Sequence, residues 1–151
     1  MKLETRNFFR YWLPALAWTA LIFFFSTSHF SAEQTGYFLT WLLRSLFHDI
    51  SRPMFALIHI LIRKAAHLTV YAVLGLLWFR ARRGPHSGWQ ARWALLAILV
   101  SMLVALADEF HQSFVPSRTG TPWDVLLDSL GALLAQAVLA LRAQRKTHSP
   151  A

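Results

Sequence analysis

Hydrophobic and polar positions are segregated along this chain in long blocks. Apolar blocks run from Tyr11 to Phe25, Met54 to Phe79, Ala91 to Ala107 and Pro122 to Leu141. With its flanks, each reaches the roughly 20 residues that a helix needs to cross a bilayer. The pattern predicts one domain over residues 1–151, an all-α integral membrane bundle of four transmembrane helices. The spans fall at about 11–28, 56–79, 91–108 and 122–141. Breakers lie between the blocks: Gly84 to Gln90 is rich in Gly, Pro, His and Ser, and Pro116 and Gly120 interrupt the last gap. Thr121-Pro122-Trp123-Asp124 reads as a helix start, because proline suits a first helical turn. Pro14 lies near the start of the first span, where a helix also tolerates it. Ser26 and Ser28 would also suit a cleavable signal peptide. The bulk of Trp12, Trp18 and Phe23-Phe24-Phe25 favours a retained span.

A weaker pattern fills the gap after the first span. Ser31-x-x-Gln34 has the spacing of a capping box. Phe38, Trp41, Leu42 and Leu46 then share one helical face. Arg44, His48, Asp49 and Arg52-Pro53 prevent a fifth span. A short interfacial helix between the first and second spans is the expectation, with a helix packed on the bundle as its alternative.

Charge changes this picture in two ways. The chain has 15 Lys and Arg against 7 Asp and Glu, a formal net charge of +8, but only 15% charged residues against 56% hydrophobic ones. Such a basic balance suggests nucleic acid until the positions are read. The cations cluster beside apolar blocks, which is the positive-inside pattern of a membrane protein, so no nucleic-acid partner is expected. One set of ends holds Lys2, Arg6, Arg10, Arg80, Arg82, Arg83, Arg92, Arg142, Arg145 and Lys146. The other holds Arg44, Arg52 and Arg118 against Glu33, Asp49, Asp108 and Glu109. Both basic termini are therefore expected in the cytoplasm of a multi-pass inner-membrane protein. The chain has no cysteine, which removes disulfides and thiolate metal sites.

Three polar sets fall on the predicted outer side. In the second block Arg63, His67 and Tyr71 are spaced i, i+4, i+8 along one helix face, with Lys64 beside it. Cations this far into an apolar block must snorkel or be paired. They offer an anion-binding edge, or else tie helices together through Asp108, Glu109 or Asp128. In Asp108-Glu109-Phe110-His111-Gln112, a carboxylate beside a histidine can fix an imidazole tautomer for acid–base work or metal binding. His67, Glu109 and His111 are the candidate catalytic groups. Val115-Pro116-Ser117-Arg118 is a turn that aims a guanidinium, suited to carboxylate or phosphate. Asp124 and Asp128 stand one turn apart; the first suits a helix cap, while the second is deeper and needs a cation or a proton. Arg63, Lys64, Tyr71, Asp108, Gln112, Arg118, Asp124 and Asp128 are the candidate ligand-binding residues.

Three motifs resemble the VanZ-like family of small bacterial membrane proteins. They are Arg63-Lys64-Ala65-Ala66-His67-Leu68-x-x-Tyr71-x-x-Leu74-Gly75, Ala107-Asp108-Glu109-Phe110-His111-Gln112-x-Phe114-Val115-Pro116-x-Arg118-x-Gly120, and Asp124-Val125-x-x-Asp128-x-x-Gly131. Ser117 stands where the family commonly has glycine, and Asp128 where it commonly has asparagine. The resemblance implies a protein of the bacterial cell envelope and, through the family's namesake, a link to teicoplanin resistance. It implies no established enzymatic activity. Three readings stay open. The outward polar pocket binds an anionic envelope lipid or a lipid-linked wall precursor. Alternatively, it belongs to a hydrolase or transferase acting on a phosphorylated lipid, with a divalent metal as one option for a cofactor. In the third reading the polar groups only tie helices together.

Overall fold

A computed structural model describes residues 3–27, 40–42, 45, 51–114 and 121–147. All regular structure among them is helical. Four helices are long and apolar enough to cross a membrane. They are α1 (Leu3–Phe25), α2 (Arg52–Arg83), α3 (Ala91–Gln112) and α4 (Pro122–Thr147). Within the range expected for an interfacial helix, residues 40–42 and 45 are helical; most of its remainder lies outside the described residues.

The helices run beyond the apolar blocks. Helix α2 begins where Ser51 Oγ accepts the Met54 amide at 3.4 Å, and Pro53 occupies its first turn. It carries Arg80, Arg82 and Arg83 in its last turn and ends at Gly84, whose φ of 57° is costly for other residues. Basic residues suit that end because the carbonyl end of a helix is negative.

Pro14 lies inside α1 rather than at its start. A proline ring has no N–H to give and crowds the carbonyl four residues back, here Arg10. The chain responds with a π-helical turn over Phe8–Trp12, in which the Leu13 amide reaches Phe8 O. The freed Arg10 carbonyl accepts from Arg80 Nη2 of α2 at 3.1 Å. Both guanidinium groups lie over the Tyr11 ring, at 5.5 and 6.0 Å from its centre. The proline thus creates the acceptor that joins α1 to the basic end of α2.

Helices α2 and α4 share the most extensive contact, and α3 packs against both. Small residues let them approach, as is usual where lipid supplies no hydrophobic drive between helices. A Cβ on Gly131 of α4 would overlap the Leu68 carbonyl of α2. One on Gly75 of α2 would meet Ala132 at 3.1 Å. Below this seam, Gln136 Nε2 donates to Gly75 O at 2.9 Å. Tyr71, Leu74, Val104 and Ala105 are buried with Ile22 of α1 at the centre. Trp18 of α1 hydrogen-bonds Val70 O at 3.0 Å. Phe79, Trp93, Ala94 and Ala97 form a second cluster towards the basic end.

Candidate functional site

The close α2–α4 seam delivers two polar pairs at the end opposite the arginines. His67 Nδ1 lies 3.2 Å from Asp128 Oδ1. Asp128 is fully buried, whereas the His67 side chain keeps 22% of its surface exposed. An ionised Asp128 accepts the Nδ1 proton, and in the neutral imidazole that arrangement leaves the lone pair on Nε2. One turn outward, Lys64 Nζ lies 3.8 Å from Asp124 Oδ1. Lys64 is half exposed, and such a pair contributes about 0–1 kcal/mol. Arg63 is half-buried and makes no ion pair among the described residues.

Arg63, Lys64, His67 and Asp124 line a cleft of about 390 Å³ between the ends of α2 and α4 that lie away from the arginine-rich end. Its walls are Ile60, Arg63, Lys64 and His67 on one side, and Thr121, Trp123, Asp124 and Leu127 on the other. The volume falls within the usual range for small-molecule sites. Exposed apolar side chains flank it, including Leu57, Ile60, Leu61, Trp123 and Leu126.

Behind the cleft, α3 contributes a buried acidic layer. Asp108, Glu109 and Gln112 are buried, and Gln112 Nε2 donates to Asp108 Oδ2 at 2.9 Å. Glu109 lies within electrostatic reach of Asp124, Asp108 and Asp128. The Tyr71 hydroxyl points into the same layer, close to Asp108 but without hydrogen-bond geometry. Asp108 Oδ1, Glu109 Oε2 and Gln112 Oε1 are likewise buried without a partner among the described residues. Among the described residues, oxygen acceptors therefore outnumber donors in this layer.

The structure brings Arg63, Lys64, His67 and Asp124 to the cleft, and sets Asp128, Tyr71, Asp108, Glu109 and Gln112 behind it. His111 is exposed at the end of α3 and does not line the cleft. Arg118 lies outside the described residues. Among the described residues no group of three His, Asp or Glu side chains could hold a metal ion. Sequence reasoning passes over Ile60, Thr121, Trp123 and Leu127 as cleft walls, because apolar residues beside a polar site look like ordinary span residues. It also passes over Gln136, although a lone amide inside an apolar block is a usable signal.

Four helices long and apolar enough to cross a membrane, with a polar cleft at one end, define a small polytopic membrane protein. The chain belongs to the VanZ/LLP1 family, whose model matches residues 11–142. No curated protein and no solved structure gave a match.

Proposed function

We propose that this protein binds the anionic headgroup of an envelope lipid, or of a lipid-linked wall precursor, in the cleft between α2 and α4. The observation that carries this reading is Arg63, half-buried in the cleft and free of ion pairing among the described residues, beside Lys64. A guanidinium set in a low-dielectric wall favours a phosphate or carboxylate that can take two of its N–H groups. The exposed apolar flank suits the acyl chains of the same ligand. In this reading the protein sits in the bacterial inner membrane with both termini in the cytoplasm, as its basic ends favour. The cleft then faces outward, and a short helix between the first two spans lies in the interface. By holding such a lipid, the protein lowers susceptibility to teicoplanin.

Native mass spectrometry of gently solubilised protein tests the binding. The wild type should retain phosphatidylglycerol or another anionic lipid, and Arg63→Gln should retain at least about tenfold less, equivalent to about 1.4 kcal/mol. Equal retention by the two proteins would remove the reading. Cells expressing the wild type should be less susceptible to teicoplanin than cells expressing Arg63→Gln.

A further inference from the structure

We infer that His67 is a catalytic base in this cleft, and that the bound headgroup is a terminal phosphate ester hydrolysed there. This rests on the binding reading above. The argument starts from the His67–Asp128 pair. A pair that only tied two helices could be buried at both partners. Here Asp128 is sealed in the seam while the imidazole emerges as part of the cleft wall. Asp128 holds Nδ1 at 3.2 Å. An ionised carboxylate there accepts the Nδ1 proton, which in the neutral imidazole leaves the lone pair on Nε2.

The neighbours supply the remaining requirements of phosphoryl chemistry. Arg63 and Lys64 line the same cleft and place positive charge where phosphate oxygens gain negative charge in the transition state. The Lys64 ammonium is half exposed and carries protons for a leaving group. Such chemistry needs positioning and electrostatic stabilisation more than covalent help.

In the step, a water oxygen forms a bond to phosphorus and gives a proton to His67 Nε2. The bond between phosphorus and the lipid oxygen breaks, and that oxygen takes a proton from Lys64. The imidazolium returns its proton to Lys64 through water. The sum is lipid phosphate plus water giving lipid alcohol plus inorganic phosphate, with both side chains restored. Asp128 is a positioning residue that acts through the histidine.

The test uses the full chain in phosphatidylcholine vesicles containing a minor fraction of dioleoyl phosphatidic acid. Lipid retention and release of inorganic phosphate are measured on the same preparations. The wild type should do both. His67→Gln keeps a donor for Asp128 and should retain the lipid, while release falls by about 10²–10⁴-fold. Imidazole added to His67→Ala should restore part of the rate, which a purely structural histidine would not allow. Should either histidine variant fail to fold, Asp128→Asn carries the test, since its side-chain oxygen still accepts the Nδ1 proton. It should lower kcat by about 10–100-fold with KM unchanged. Retention by the wild type without phosphate release would overturn the catalytic inference and leave the binding reading intact. The same holds if His67→Gln releases phosphate at the wild-type rate. Failure of the wild type to retain phosphatidic acid, in vesicles where the folded protein is verified, would overturn both for this lipid class.

Discussion

Asp128 shows how much the position of one side chain in a sequence can reveal. A carboxylate deep in an apolar block has to be paired or protonated, and the fold supplies His67 at 3.2 Å. Asp124 is harder to read, because a helix-start aspartate already has a local explanation. Its carboxylate also meets Lys64 across the cleft. Partners of this kind are illegible in sequence because contact depends on the angle between helices, whereas periodicity reports only the face within one helix. Gln112 provides a direct check on the acidic layer. Gln112→Leu removes the 2.9 Å bond to Asp108 and leaves that buried carboxylate without its donor. It should lower stability by about 1–3 kcal/mol, read as an earlier thermal melt in detergent. Trp18→Phe, which removes only the indole bond to Val70 O, should cost about 0.5–1.5 kcal/mol in the same assay.

At the scale of elements, the apolar blocks locate all four helices, because the length of a span is set by the bilayer. The helix ends run further than the blocks, since arginines at a helix end reach the interface while the backbone stays helical. The π-helical turn is not legible in the same way. Pro14 is compatible with a helix start, and only the presence of helix from Leu3 onward makes it an interior proline. Gly131 illustrates the opposite case. Its small size suggests close packing, and the structure puts the Leu68 carbonyl where its Cβ would be. Backbone cannot move aside as a flexible side chain can. Gly131→Ala should therefore force α2 and α4 apart, cost about 1–3 kcal/mol, and weaken lipid retention by stretching the His67–Asp128 bond. Gly75→Ala meets Ala132 at 3.1 Å and should cost less. Melts and lipid retention of the two variants would check that order; a larger loss at Gly75 would contradict it.

For the whole molecule, four helices are long and apolar enough to cross a membrane. In the proposed orientation both ends of the chain lie in the cytoplasm, the side that basic residues favour. A fluorescent reporter that matures only in the cytoplasm should glow when fused to either terminus, and an alkaline phosphatase that requires the periplasm should be inactive at both. Activity of the phosphatase at both ends would invert the orientation. Fold class and span number are open to sequence reasoning because they follow from solvation, a property of each residue summed along the chain. The meeting of α2, α3 and α4 around one polar layer is only suggested by shared sidedness, because shape complementarity between helices leaves no periodic trace. The apolar rim of the cleft has a consequence of its own. Ile60, Leu127 and Trp123 line the cleft, so on the proposed reading a molecule with acyl chains reaches the polar groups by drifting sideways within its leaflet. Occupancy then depends on the mole fraction of that lipid among its neighbours and not on any aqueous concentration. An attraction too feeble to register in free solution suffices to fill the site when the membrane itself is the reservoir.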